Sequence, residues 1–222
     1  MLAAALARAD AIVRDPSILG AAPPAAPSRA VAIGDPQATA ARFFEVLAAH
    51  DLLGADGWLA PHVRLTSMGD HFDIDVADRA IGQGDGVRIL AWLAAHAPAQ
   101  VTLLFGNHDA ARVMELAHVS DARFTEAAAL GRAIDALPKR DRGPATAEFR
   151  ARFPELATPG YAARDYNAFT EAQRALVQRL LVRGRFALAT TARVRGRQAL
   201  FTHAGVTRDQ LALLDADRAP AA

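Results

Sequence analysis

The chain has 222 residues, a formal net charge of +1 and no cysteine. A chain of this length can bury a substantial core, so we expect one globular domain. The near-neutral charge gives no support for nucleic acid or a membrane surface as a partner. Without cysteine there are no disulfides, thiolate metal sites or cysteine nucleophiles. Any metal would be held by carboxylate, amide and imidazole groups, which suit manganese, magnesium, iron or zinc.

Residues 1–28 are expected to lie outside that domain. Met1–Val13 is apolar but carries Arg8 and Asp10 inside the run, which is typical of a frayed or weakly helical extension rather than a signal peptide. Gly20–Ser28 is rich in proline and alanine and predicts a linker. The domain is expected over residues 29–222, in the cytoplasm, because no later stretch is long and uncharged enough to cross a bilayer.

Apolar runs and helical patterns alternate after the linker. Strands are predicted at Ala30–Ile33, Val63–Met68 and Val101–Phe105, and amphipathic helices at Thr39–His50 and Asp85–Ala97. This alternation predicts an α/β fold with a parallel sheet. The aromatic residues Phe43, Phe44 and Trp92 are expected to face the core rather than to form a base-stacking platform.

The second half of the chain is mainly helical in pattern. Helices are predicted at Ala110–Leu116, Ser120–Leu137 and Phe169–Val182. Pro138–Asp165 is rich in charge, proline and glycine. It is predicted to be an excursion from the fold that covers the functional site. Strands at Phe186–Val194 and Gln198–Thr202 flank Arg195-Gly196-Arg197, which predicts a hairpin.

A short polar motif follows each of four apolar runs. The motifs are Gly34-Asp35-Pro36-Gln37, Gly69-Asp70-His71-Phe72-Asp73, Gly106-Asn107-His108-Asp109 and Thr202-His203-Ala204-Gly205. Ligands of α/β sheets collect at the carboxyl ends of strands, so these motifs are expected to meet. Each alone has a simpler interpretation, as a turn or a helix cap. The ordered set predicts a metal site. The other histidines, His50, His62, His96 and His118, are expected at helix ends or on the surface.

These motifs resemble those of the calcineurin-like metallophosphoesterases, closest to the branch of phosphoprotein phosphatases and bacterial diadenosine-tetraphosphatase-like enzymes. The resemblance runs from about Ile33 to Val206 and is partial at the first motif. It implies an α/β/β/α sandwich. Because no histidine follows Val206, the chain is expected to be a shortened member or a fragment that lacks the C-terminal strands and one metal ligand.

The resemblance also implies a role for each matching residue. Asp70 would bridge two divalent ions, His108 would be the general acid and Asp73 would orient it. The metal ligands would be Asp35, Gln37, Asp70, Asn107 and His203. Gln37 stands where the family usually has histidine, which favours manganese, with magnesium, iron and zinc as the other candidates. The arginine that usually follows the second motif is absent, so phosphate binding is assigned to Arg79 or Arg112, with Arg208 as a further candidate.

The activity implied is hydrolysis of a phosphoester by a hydroxide activated by two metal ions. The substrate would be a phosphorylated small molecule, a nucleotide such as a dinucleoside polyphosphate, or a phosphoprotein. The alternative is a degenerate domain that keeps the fold, binds metal weakly and acts in binding or regulation. Gln37 and the missing final histidine favour this alternative, whereas Asp70, Asp73, Asn107 and His108 favour the enzyme.

Overall fold

The computed structural model describes residues 1–20, 22–23, 26–74, 79–209 and 212, and confirms the α/β class. Four parallel strands form one sheet in the order β1-β2-β3-β4. They are β1 (Arg29–Ile33), β2 (Val63–Ser67), β3 (Val101–Leu104) and β4 (Phe186–Ala187). Strands β5 (Ala189–Val194) and β6 (Arg197–Thr202) form a separate antiparallel pair.

Seven α-helices connect or cover these strands within the described ranges. They are α1 (Leu2–Arg14), α2 (Ala40–Ala49), α3 (Arg79–Ala94), α4 (Asn107–Ala111), α5 (Asp121–Asp135), α6 (Arg142–Arg152) and α7 (Glu171–Val182). Thr39, Ser120 and Thr170 begin α2, α5 and α7, because each side chain accepts a hydrogen bond from a first-turn amide. None of the described helices is long and apolar enough to cross a membrane.

The main hydrophobic core lies between the sheet and α1, α2, α3 and α7. Phe43, Phe44 and Trp92 are buried there and pack edge to face, with ring centroids 5.1–6.2 Å apart. The core-facing role predicted for these three rings is therefore confirmed. Such pairs add about 0.5–1.5 kcal/mol each beyond the burial of their surface.

Helix α1 packs into this core, so the expectation of a frayed extension is wrong. Ala5, Ala9 and Ile12 are buried on one face of the helix. The backbone at Ala4 and Ala5 lies so close to Gly57, which has a φ of +82°, that a Cβ at Gly57 would overlap it. Small residues permit this close approach. Because α1 has alanine on its exposed and its buried faces alike, the sequence does not show which face packs against the core.

Helices α5 and α6 and the segment before α7 enclose a second hydrophobic core. Phe124, Phe149, Phe153 and Phe169 are buried in it. The predicted excursion Pro138–Asp165 therefore contains a regular helix, α6, and a π-helical turn at Tyr161–Asp165. We refer to residues 121–170 as the helical insert.

The predicted strand Phe186–Val194 is divided between two sheets. Phe186 and Ala187 pair with β3, whereas Ala189–Val194 pairs with β6. Leu188 lies at the break and is 79% exposed. The predicted hairpin is confirmed: Val194 pairs with Arg197, and the two turn residues Arg195 and Gly196 have φ values of 49° and 80°. Positive φ at both positions is the requirement of a type I′ turn.

His96, expected at a helix end or on the surface, is buried just beyond α3 between two tryptophans. Its Nδ1 donates to the Trp92 carbonyl, and its Nε2 accepts the Leu59 amide at 3.1 Å. Both ring nitrogens are thus used by a neutral imidazole. Burial, aided by repulsion from Arg185, lowers the pKa of His96 to about 4.

We expect this histidine to make the protein acid-sensitive. The unfolded chain binds a proton at His96 below about pH 6.5 and the folded chain does not, so stability falls as the pH drops from about 6.5 towards 4. The free energy of unfolding should lose about 2 kcal/mol between pH 7 and pH 5 from this group. Urea titrations at both pH values, compared with His96→Gln, measure the loss. An equal pH slope in the two proteins would contradict the assignment.

Candidate functional site

Three of the four motifs follow the carboxyl ends of neighbouring strands, and the second and third are in contact. In the sheet register Ile33 lies opposite Ser67, and Ser67 opposite Leu103, so β1, β2 and β3 end level with each other. The loops that follow approach very closely. A Cβ on Gly69 would lie 2.7 Å from the Gly106 nitrogen, and one on Gly106 would overlap Asp70. Only glycine permits these contacts.

Two aspartates in the second motif have left-handed backbone conformations. Asp70 has a φ of 57° and Asp73 one of 66°. Such conformations are uncommon for residues other than glycine, although aspartate and asparagine tolerate them best. Strain of this kind is held in place by surrounding contacts and concentrates at functional sites. Here it directs both carboxylates towards the third motif.

Asp109 joins the loop after β2 to the loop after β3 by hydrogen bonds. It is fully buried and accepts hydrogen bonds from the amides of Asp70, His71 and Gly106 at 3.1–3.2 Å. His71 Nδ1 lies 3.0 Å from the same carboxylate, and His71 Nε2 lies 2.9 Å from Ser67 Oγ. Burial raises the pKa of Asp109, but His71 and the amides outweigh burial and hold it below its usual value. His71 is therefore a buried neighbour of the site.

His108 and Asp73 form the pair that the resemblance of the motifs implies. His108 Nδ1 lies 2.7 Å from Asp73 Oδ2, and Nε2 makes no hydrogen bond to the described part of the chain. Burial lowers the pKa of His108, yet the Asp73 carboxylate outweighs burial and raises it overall. The arrangement favours a doubly protonated imidazole with its Nε2–H free to donate.

Arg112 holds the other side of Asp73. Its guanidinium donates to both carboxylate oxygens, at 2.5 and 2.7 Å, and also to Gln173 Oε1 and the His108 carbonyl. The Ala168 amide of the helical insert donates to Asp73 at 3.2 Å. Burial raises the pKa of Asp73, but Arg112 and His108 lower it below the usual value.

The phosphate-binding role assigned to Arg112 does not fit this position, because the side chain has no exposed surface. The sequence contained a signal for the observed role: Arg112 follows His108 by four residues, one turn further along a helical segment. The side chain of Arg79, the other candidate, lies outside the described part of the structure. Arg208 is exposed near the fourth motif.

His203 joins the site from the end of β6. Its Nδ1 lies 2.7 Å from the Met68 carbonyl, and its Nε2 lies 3.0 Å from Asn107 Oδ1 and 3.4 Å from Asp70 Oδ2. Because Nδ1 carries the proton that bonds to the carbonyl, the Nε2 lone pair of this tautomer faces the Asn107 and Asp70 oxygens. Burial also raises the pKa of Asp70. Three electron-pair donors thus face one another at this point.

This donor set fits a hard or borderline divalent ion. Histidines that bind metals usually donate their other ring N–H to a carbonyl or carboxylate, as His203 does to Met68. An imidazole, a carboxylate and an amide oxygen are ligands that manganese, zinc or iron accept. Within the described ranges, however, no group of three or more histidine, aspartate or glutamate side chains is arranged to hold a metal ion.

The first motif is less closely joined to the site. Asp35 lies with Oδ1 3.7 Å from His203 Nδ1, and its side chain is 54% exposed. Gln37 Nε2 donates to the Phe72 carbonyl at 3.0 Å. Among the residues that the structure describes, no hydrogen bond or ion pair connects Gln37 to the other predicted ligands. The structure thus brings together Asp70, Asn107 and His203, places Asp35 beside them and leaves Gln37 apart.

The structure therefore combines a carboxylate–histidine pair with a neighbouring cluster of oxygen and nitrogen donors. His108 and Asn107 are adjacent in the chain, and the His108 amide donates to Asp70 at 2.8 Å, so the two groups have a fixed relation. Comparisons of the chain with protein-family models, with curated proteins and with solved structures find no match.

Proposed function

We propose that this chain is a metal-dependent phosphoesterase of the calcineurin-like kind. The observation that supports this most is the His108–Asp73–Arg112 network beside the cluster of Asp70, Asn107 and His203. One group can donate a proton, and the other can hold a divalent ion. Phosphoester hydrolysis needs both, because the leaving oxygen requires a proton and the phosphoryl group requires neutralisation.

The metal ligands in this proposal divide between two ions. Asn107 and His203 would hold one ion, Asp35 and Gln37 the other, and Asp70 would bridge them. When bound, the ions would supply an acidic water and stabilise the charge on the phosphoryl oxygens. Manganese is favoured, with magnesium, iron and zinc as the other candidates. The four-stranded sheet with the β5–β6 pair is compatible with an α/β/β/α sandwich.

The side chains around His108 would act by position and charge. Asp73 favours the imidazolium, and Arg112 keeps Asp73 ionised and fixed, so Nε2–H remains directed away from the carboxylate. His108 would donate this proton to the leaving oxygen. The buried contacts of Arg112 and Ala168 with Asp73 limit movement of the pair, which lowers the cost of aligning it with the substrate.

The proposal is tested by hydrolysis of an aryl phosphate with added manganese. We expect Asp70→Asn and His108→Ala to lower kcat/KM by at least 100-fold, since each removes a group that acts on the reacting atoms. Asp141→Asn and His118→Ala, both exposed residues, are matched controls and should retain the activity. Equal background hydrolysis by the parent protein and all four variants would refute the enzyme.

The alternative is a fold that binds metal weakly and serves in binding or regulation. The contact of Gln37 with the Phe72 backbone and the exposure of Asp35 favour it, because both loosen the first metal position. Calorimetric titration with manganese separates the two proposals. If the parent protein binds two manganese ions and Asp70→Asn loses both, the result supports the enzyme. If the parent protein neither binds manganese nor hydrolyses the substrate, the result supports the alternative.

A further inference from the structure

A π-helical turn in the helical insert brings two tyrosines together. The Tyr166 amide donates to the Tyr161 carbonyl at 2.9 Å, which is the i→i+5 bond of a π-helix. This geometry brings the two side chains into edge-to-face contact, with ring centroids 4.6 Å apart and the rings at 61°. Isolated π-helical turns are rare and occur frequently at functional sites. The chain contains no other tyrosine.

Tyr166 of this pair lies directly against the proposed general acid. The ring centroid of Tyr166 is 4.9 Å from that of His108. Two residues further on, the Ala168 amide donates to Asp73, so the backbone of the helical insert is bonded to the acid pair itself. Arg112 also packs against the Tyr166 ring at 5.7 Å. The tyrosines are therefore held in a fixed position relative to His108.

The two rings differ in exposure. Tyr166 is 7% exposed, whereas Tyr161 retains more of its surface in contact with solvent. Burial first, and then the neighbouring Tyr166 and Glu115 side chains, raise the pKa of the Tyr161 hydroxyl above its usual value. The hydroxyl therefore stays neutral at ordinary pH. The pair offers an uncharged aromatic surface beside a site whose other groups are mostly charged.

We infer that Tyr161 and Tyr166 form a subsite for a planar aromatic ring on the leaving group of the substrate. The inference rests on the proposed function, because His108 protonates the leaving oxygen and the leaving group must then lie on its side of the site. Tyr166 packs against His108 and Tyr161, and the partly exposed Tyr161 supplies the surface that a ring extending past His108 contacts. Stacked or edge-on contact with these rings favours an aromatic group over an aliphatic group of the same size.

Two matched substrate pairs test the inference with manganese present. Benzyl phosphate and cyclohexylmethyl phosphate have leaving alcohols of similar acidity and differ in the ring. A nucleoside 5′-phosphate and ribose 5-phosphate share the same leaving oxygen and differ in the base. We expect the parent protein to prefer the aromatic member of at least one pair by about 3- to 10-fold in kcat/KM. The pair that shows the preference identifies an aryl or a nucleobase ring.

Variants of Tyr161 assign the preference to this subsite. Tyr161→Leu should reduce the ratio to about 1 while hydrolysis of the aliphatic substrates continues, and Tyr161→Phe should keep it. A ratio of 1 for both pairs in the parent protein would overturn the inference, as would an unchanged ratio in folded Tyr161→Leu. These outcomes leave the proposed function standing. Hydrolysis of the aryl phosphate but of none of these four substrates overturns the inference alone, whereas hydrolysis of neither the aryl phosphate nor these four overturns the proposed function as well.

Discussion

Replacing Arg112 by methionine should destabilise the protein by about 3–5 kcal/mol, the usual result of removing one partner of a buried ion pair. Arg112 and Asp73 have side chains 0% and 1% exposed, and two hydrogen bonds join them. Without the guanidinium, the buried charge of Asp73 keeps the hydrogen bonds from the Ala168 amide and the His108 imidazole but loses its ion pair. The free energy of unfolding from urea titration at pH 7 measures the effect.

A double-mutant cycle separates the charge from the packing. Arg112→Met combined with Asp73→Asn removes both charges, so it should regain part of the stability that the single change loses. Arg140→Met, at a position 86% exposed, is the matched control and should change stability by less than about 0.5 kcal/mol. If Arg112→Met lowers the free energy of unfolding as little as the control does, the Arg112–Asp73 ion pair does not stabilise the site.

Asp109→Asn is expected to cost about 2–4 kcal/mol and to weaken manganese binding as well. The carboxylate accepts from three backbone amides and faces His71, so an amide group there leaves at least one buried donor without an acceptor. The amides concerned belong to the loops that carry Asp70 and Asn107. Loosening those loops moves the proposed ligands although none of them is altered.

The two effects are measured separately, by urea titration of the metal-free protein and by calorimetric titration with manganese. Asp141→Asn, whose carboxylate is 51% exposed, is the matched control for both. A loss of stability with unchanged manganese affinity would show that Asp109 supports the fold alone. A variant as stable as the parent would contradict the role assigned to Asp109.

Several parts of the fold were predictable because they depend on local chemistry. The strands β1 and β3 are mostly apolar, β2 alternates between apolar and polar residues, and a glycine closely follows each of them. The I′ turn at Arg195-Gly196 has a residue type suited to positive φ. The pairing of His108 with Asp73 was also predicted, but from the resemblance of the motifs. Spacing alone does not show that an imidazole meets a carboxylate 35 residues away.

Other parts required the tertiary structure. The packing of α1 depends on the close approach of its backbone to Gly57, and one small residue among many alanines gives no periodic signal. The predicted strand is divided at Leu188 because its first part pairs with β3 and its second part with β6. The sequence on both sides of Leu188 is equally suited to a strand, so it does not mark the break. The helical insert builds its own core, which its charge and proline content concealed.

The sequence by itself determined the order of strands and motifs and the residue types available to the site, because strand ends and glycine turns are encoded locally. Only the tertiary structure decided which of those residues meet. In the structure Arg112 binds Asp73 instead of being available to a phosphate, because its side chain points inward from the turn after His108. The tertiary structure also placed Tyr166 against His108 and left Gln37 on the Phe72 backbone. Such contacts join residues far apart in the chain, and their energies depend on burial that no local pattern records.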